Sequence, residues 1–407
     1  MINSSWGKFT VKGSEDLEKR ITEIVKEVVF IIESQIYPKQ YRALIILGGY
    51  GRGEGGVVTI NGKEYPHNNL DFLLITKNLR NKKQNELKKK IYSKFAPLNR
   101  KIKTQIDIGL VNESSLKHTT NRIIWYDMRF GHKTILGDKN FVHSLKRFRL
   151  QTIPKWDARN LLVNRGTLII INEFLLKKKN PDSNILKLII KHINKAIIGY
   201  GDALLFFLND YNWSYVEKKK RMQNRNDVSE DFKKIYDNAM EFRFKPEYDN
   251  YVIGDLIQWM KELKIHFEHI HKFCESKHLG KPEIDWNEYP EIAFKQAFFE
   301  CPPSFREFLK KFINIFENKK YQGKGSFFCK LGFKTLDSSG VLAILFPLIA
   351  YNLTDKNFMD VTSNFLKSPS TNIEDLRRSY IQAWMQYRDN ALQALLHKHK
   401  IYLDSSR

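Results

Sequence analysis

The residues with the clearest chemical content lie between Leu44 and Val111. An apolar run, Leu44–Leu47, leads straight into Gly48-Gly49, and the turn that follows (GGYGRGE) carries Arg52 and Glu54. A second apolar run, Leu70–Ile75, holds one acid, Asp71, and a third, Gln105–Val111, holds Asp107 in the same way. A double glycine after a strand lets the backbone approach a phosphate with no Cβ in the way. A nucleoside triphosphate carries about four negative charges, so a site for it needs backbone N–H groups, cations and a metal. Arg52 is the candidate phosphate contact, or equally a structural partner of Glu54 or Asp71. Carboxylates on adjacent strands are suited to holding Mg²⁺ or Mn²⁺ across the triphosphate. Asn69 and Asp71, two apart on a strand, share a face. A lone acid in an apolar strand is costly without a cation nearby, which favours a metal at Asp71 and Asp107.

With these residues in place, the segment resembles the polymerase-β-type nucleotidyltransferase superfamily, and its glycine turn is most similar to that of the uridylyltransferases acting on the nitrogen-regulatory PII protein. The resemblance covers about residues 41–138. It implies that Gly48 and Gly49 hold the triphosphate, with Arg52 and Asn69 beside the nucleotide. Asp71 becomes the second carboxylate of a metal-bridging pair, and Asp107 the third carboxylate, orienting the acceptor hydroxyl as base and metal ligand. The implied activity is transfer of a nucleoside monophosphate from a triphosphate to a hydroxyl or phosphate acceptor on a protein, an RNA or a small molecule. Two departures stand out. The strand reads NNLDFLL, so Asn69 occupies the place of the first carboxylate, and twenty positions separate Gly49 from Asn69. An amide oxygen can ligate Mg²⁺ but brings no charge to hold a hard cation. Glu54, Glu64 and His67 in the long loop are candidate substitutes. The alternative is a degenerate site that binds nucleotide or RNA without turnover.

The elements that must position these residues follow from periodicity. Leu17, Ile21, Ile24, Val25, Val28 and Ile31/Ile32 predict a helix over 14–36, with acids early, where the helix dipole favours them. Strands are expected at Tyr41–Leu47, Leu70–Ile75 and Lys101–Val111. Asn61-Gly62-Lys63 marks a hairpin turn. A lysine-rich helix over 79–95, a helix at Ile123–Phe130 and a short strand within Gly131–Asp138 complete an N-terminal α/β domain with a small mixed sheet, residues 1–138. After residue 139 long helical patterns take over: 155–178, 183–208, 228–246, 250–275, 287–300, 303–318, 337–351 and 372–397. The prolines fall mostly between them (Pro181, Pro282, Pro302-Pro303, Pro369). The expected class is α+β, with a larger all-helical region over 139–407, divisible near 276–286. GYGDALL (199–205) and YNWSY (211–215) are candidates to line the cleft from that region, with Asp202 either a substrate contact or a satisfied internal carboxylate.

Charge and cysteine content bound the function further. The 407 residues contain 68 Lys and Arg against 45 Asp and Glu, a net charge of +23. That excess fits an anionic partner, a nucleotide or RNA among them, and equally a lysine-rich solubilising surface. The runs are scattered: Lys88–Lys90, Lys177–Lys179, Lys218–Arg221, and Lys398 with Lys400. Cys274, Cys301 and Cys329 have neither disulfide-framework nor CxxC spacing. The longest apolar stretch, Gly340–Ala350, is far short of the ~20 residues of a membrane span. No signal-peptide pattern stands at the N-terminus, and a reducing cytoplasm is the expected compartment. His266, His269, His271, Cys274 and His278 include ligand-like helical steps, but no fourth ligand accompanies them. That cluster reads as an amphipathic helix with its histidines facing solvent or neighbouring acids.

Overall fold

The apolar stripe from Leu17 to Ile32 forms helix α1 (Glu15–Glu33) in a computed structural model that describes residues 6–177, 181–248, 251–300, 305–317, 326–351 and 356–398. Cys301, Pro302-Pro303, Lys178, Lys179 and Lys400 lie outside the described residues. Ser14 starts α1 by accepting from the Leu17 N–H, and Glu15, Asp16 and Glu18 occupy its first turn. The chain continues through β1 (Tyr41–Ile46), the short helix α2 (Gly48–Arg52), β2 (Val57–Ile60) and β3 (Lys63–Pro66). Asn61 and Gly62 join β2 to β3 with φ of 50° and 73°, the left-handed pair that a two-residue hairpin requires. Next come β4 (Leu70–Thr76), α3 (Asn81–Ile102), β5 (Ile106–Asn112), α4 (Glu113–His118), α5 (Ile123–Phe130) and β6 (Lys133–Gly137).

Four strands make one mixed sheet in the order β5-β4-β1-β6. β1 runs antiparallel to both β4 and β6, while β4 and β5 are parallel and joined by the crossover helix α3. The strands read as near-continuous apolar runs because both faces are covered. Leu44, Ile46, Phe72, Leu74 and Ile108 pack under α1 and α3. Ala43, Ile45, Leu73 and Ile75 pack against Leu116, Met128, Phe141, Val142, Leu145 and Phe148. α3 outruns its expected end at 95, passing through Pro97 to Ile102. Leu98 and Ile102 extend the stripe of Leu87, Ile91 and Phe95 into the core, and that burial outweighs the hydrogen bond lost at the proline.

Beyond β6 the elements are α6 (Lys155–Leu176), α7 (Ser183–Phe207), α8 (Tyr215–Gln223), α9 (Glu230–Phe244), α10 (Ile253–Leu279) and α11 (Tyr289–Phe299). They are followed by α12 (Phe305–Glu317), α13 (Phe327–Thr335), α14 (Ser338–Tyr351), α15 (Lys356–Leu366), α16 (Ile373–Tyr387) and α17 (Asn390–Lys398). The chain forms two compact units, one of Met1–Pro154 with Asp210–Glu247, the other of Lys155–Asn209 with Tyr248–Arg407. The expected boundary at 138 therefore lies inside the first unit, which also takes α8 and α9 out of the expected helical region. Contacts distant in sequence make the difference. Glu54 holds the start of α8, and the Arg243 backbone carbonyl stands 2.4 Å from where a Cβ on Gly56 would be.

The second unit is helical throughout its described residues. α14, the apolar stretch over 340–350, is buried on all sides, and among the described residues no helix is long and apolar enough to cross a membrane. The pattern over 372–397 resolves into α16 and α17, broken at Arg388-Asp389, where Arg388 Nη2 donates to Asn160 Oδ1 and the Ser339 carbonyl. His271, Cys274 and His278 are buried rather than solvent-facing. His271 Nδ1 lies 3.1 Å from the Tyr351 hydroxyl, and Arg159 pairs with Glu275 at 2.7 and 3.2 Å in the same core.

Candidate functional site

The parallel register pairs Asp71 directly with Asp107. Neighbouring strands lie about 4.8 Å apart, so the two carboxylates start from adjacent positions on one face. They occupy the first row of that face, ahead of Leu73 and Ile75, where the strands emerge from the core. Asp71 is exposed and Asp107 partly so. Asp107 is held on both oxygens: Oδ2 accepts from Asn69 Nδ2 at 2.8 Å, and Oδ1 accepts from Gln105 Nε2 at 2.7 Å and the Tyr92 hydroxyl at 3.1 Å. Burial, and to a lesser extent the charges of Asp107 and Asp71, raise the Tyr92 pKa, so its hydroxyl remains a donor at neutral pH.

The glycine turn sits against this pair. Leu47 N–H donates to the Asp71 carbonyl at 2.8 Å, which fixes the end of β1 beside the start of β4. Gly48 has φ +63°, and a Cβ there would stand 3.2 Å from Asp71 Oδ2. At Gly51 a Cβ would stand 2.4 Å from the Ile46 carbonyl oxygen, so only glycine lets α2 fold back on β1. A Cβ at Gly49 would stand 3.1 Å from Arg243 Nη2. The partly buried guanidinium of Arg243, from α9, is thus brought to the glycine turn, although nothing in the local sequence around residue 243 marks it.

Arg52 is placed differently from an exposed phosphate contact. Its side chain is 5% exposed and its Nη2 pairs with Asp127 Oδ2 at 2.6 Å, while its guanidinium stacks 4.4 Å from the Tyr215 ring. Burial alone would lower its pKa, but Tyr215, Asp127 and Tyr211 reverse that and hold the cation firmly charged. Arg243 and Lys218 approach the same ring at 3.9 and 4.5 Å. Tyr215 is therefore ringed by three cations, and Arg52 acts in this arrangement as an anchor for α5 and α8. The loop acids have tasks of their own. Glu54 is buried and accepts from Ser214 Oγ at 2.5 Å and Tyr215 N–H at 2.7 Å, at the start of α8. Glu64 accepts from the Ser14 N–H at 2.7 Å, and the His67 ring packs edge-on to Phe242. None of these contacts brings a carboxylate to the position of Asn69.

The sequence candidates thus divide. Gly48, Gly49, Asn69, Asp71 and Asp107 come together, while Arg52 is engaged with Asp127. YNWSY falls in the first unit and GYGDALL in the second. The donor set of two carboxylates and an amide oxygen is hard, and fits Mg²⁺, which is commonly held by one or two carboxylates with substrate phosphates completing its shell. Among the described residues no group of three or more His, Cys, Asp and Glu side chains is placed to hold a metal. No known protein family matches the chain, and no curated protein or solved structure is similar to it.

Proposed function

We propose that the protein binds a nucleoside triphosphate at the Gly48-Gly49 turn and transfers the nucleoside monophosphate to a hydroxyl or phosphate acceptor, releasing pyrophosphate. The observation that carries this reading is the Asp71–Asp107 register pair lying against Gly48. In this reading the glycines leave room for the phosphates, and Arg243 supplies the nearby cation that Arg52 does not. Asp71, Asp107 and the Asn69 oxygen hold Mg²⁺ or Mn²⁺, which would neutralise charge on the triphosphate. Asp107 has about four acceptor sites on its two oxygens, of which Asn69, Gln105 and Tyr92 use three. Metal ligation by the Asn69 oxygen would release the Oδ2 site that its N–H holds, leaving two sites on Asp107: one for the metal, and one for the acceptor hydroxyl, whose proton it takes as the new O–P bond forms and the bond to pyrophosphate breaks. Positioning and charge neutralisation supply most of the acceleration.

The test is calorimetric titration of Mg²⁺-loaded ATP, GTP, CTP and UTP into the wild type and into Asp71→Ala/Asp107→Ala, with pyrophosphate release measured alongside. Metal-dependent binding that disappears in the double variant is the expected result. Failure of every triphosphate to bind, with Mg²⁺ or Mn²⁺, rules the reading out. One observation favours a second reading, nucleotide binding without turnover. Asn69 presents its amide N–H, not its oxygen, to Asp107. Tight binding with no pyrophosphate from any acceptor would select that reading, and Asn69→Asp would then be expected to strengthen metal dependence.

A further inference from the structure

The first unit carries a second feature that the nucleotide reading does not use. Between Arg129 and Arg149 six Lys and Arg residues stand against a single acid, Asp138. The structure gathers four of them, Arg129, Lys146, Arg147 and Arg149, around an open groove of about 480 Å³. None of the four is in an ion pair among the described residues; Asp138 lies 3.7 Å from Arg42 instead. Neutral groups orient two of them. Arg129 donates to the His143 and Phe148 carbonyls and lies over the Phe130 ring at 4.8 Å, and Arg147 donates to the Lys117 carbonyl and lies near the Phe148 ring. Four cations, two of them held by carbonyls and rings and none paired with a carboxylate among the described residues, give the groove a net positive charge. Repulsion among them is a standing cost that a bound polyanion would relieve.

The groove does not end at these cations. Arg149 also lines an adjoining cavity of about 280 Å³ with Tyr126, Phe130, Tyr211 and Arg221. The acids nearest to this second part are already engaged. Asp210 and Glu217 pair with Arg221, and Asp127 pairs with Arg52 while accepting from the Tyr211 hydroxyl at 3.0 Å. The result is a cationic track that runs into a patch of rings, with Phe130 38% exposed. A compact phosphate would need only the cations, and an acidic peptide would have no use for an exposed ring between them. An unpaired polynucleotide offers both a phosphate backbone and base faces to stack.

We propose that this groove binds a single-stranded polynucleotide, with phosphates along Arg129, Lys146, Arg147 and Arg149 and a base against Phe130. Its position matters. Lys133, which opens β6 just after Phe130, pairs with Ile46 at the end of β1, and Gly131 O lies 2.9 Å from where a Gly51 Cβ would be. The Phe130 side of the groove therefore lies at the same end of the sheet as Gly48, Asp71 and Asp107. Binding in the groove stands by itself; only the further step, that the bound strand is the acceptor, rests on the nucleotidyl-transfer reading.

The experiment is fluorescence anisotropy of a labelled oligo(U) RNA with the full chain across a salt series, for the wild type, Lys146→Ala/Arg147→Ala/Arg149→Ala and Phe130→Ala. Each lost phosphate contact flattens the log–log salt slope by about 0.7, so the triple variant is expected to lose about 2 units of slope and at least about tenfold in affinity. Phe130→Ala is expected to weaken binding about fivefold or more at unchanged slope, because stacking is not ionic. A second measurement needs no variant: RNA should protect Lys146 of the wild type from acetylation. Binding unchanged in the triple variant together with an unprotected Lys146 overturns the proposal. So does a poly-glutamate of matched charge that competes as well as RNA, which would make the groove a surface for acidic protein. Mg²⁺–triphosphate titration of the triple variant separates the two readings, since its nucleotide site is untouched.

Discussion

Arg52 and Asp71 show how differently two charged residues of one small region can be employed. Arg52 is buried beside Asp127 and Tyr215, and removing it would leave the carboxylate of Asp127, itself only 15% exposed, without its cation. Breaking a buried pair from one side costs about 3 kcal/mol or more. Arg52→Ala is accordingly expected to lower the urea midpoint by that equivalent. Asp71→Ala, at an exposed position facing a second acid, should change stability by under about 0.5 kcal/mol while abolishing triphosphate binding. Equal losses of stability in the two variants would contradict this division of roles. The sequence marks both residues as notable, yet the glycine turn alone does not tell a structural cation from a phosphate ligand. That distinction depends on Asp127, seventy-five positions away, and on Tyr215, further still.

At the scale of elements, one loop acid ties the start of α8 to the glycine turn. Glu54 accepts from Ser214 Oγ, Tyr215 N–H and Val216 N–H, so a loop carboxylate satisfies two of the free N–H groups at the start of α8, while Ser214 Oγ accepts that of Glu217. Its negative charge also suits that end of the helix dipole. Glu54→Gln keeps the shape but loses the charge and turns an N–H toward those donors. The expected loss is about 1–2 kcal/mol, with faster amide hydrogen exchange at Tyr215–Glu217 than elsewhere in the first unit. Unchanged protection there would mean that α8 is held by its packing alone. The helices α2, α4, α8, α13 and α15 are the ones periodicity does not reveal. They are five to eleven residues long, about one to three turns, which gives a 3.6-residue pattern few repeats to show.

Across the whole molecule, histidines in buried and partly buried positions couple folding to pH, His132, His192 and His271 among them. Burial lowers His132 to about 4 and His192 and His271 to about 3, all from an ordinary value of 6.5. Neighbouring basic side chains push the same way: His143 acts on His132, Lys195 and Lys191 on His192, and Arg159 on His271. Each is neutral when folded and takes up a proton when unfolded below about pH 6.5, so the unfolded state binds more protons there. Stability is therefore expected to be full above pH 6.5 and to fall as pH drops from 6.5 toward 4. Urea midpoints measured at pH 7.5, 6, 5 and 4.5 check this. A flat series would show that these rings are protonated in the folded protein. His132 lies in the first unit and His192 and His271 in the second, so transitions of both units should shift.

Local sequence was enough to determine the mixed sheet's main strands, the Asn61-Gly62 hairpin, the long helices and the two strand-borne acids. Each of these is written in spacing over a few residues: apolar runs for strands covered on both faces, three- and four-residue steps for helices, and a left-handed pair at a tight turn. Which acids and cations meet was decided only by the tertiary structure. The β4–β5 register sets Asp71 beside Asp107, and the return of α9 carries Arg243 to Gly49 from nearly two hundred positions away. The same return draws α8 and α9 into the first unit, against an expectation drawn from helical pattern alone. Helical periodicity says which face of a helix is buried, but not against what. The partner is chosen by packing among elements distant in the chain, and that choice leaves no mark in the spacing of either one.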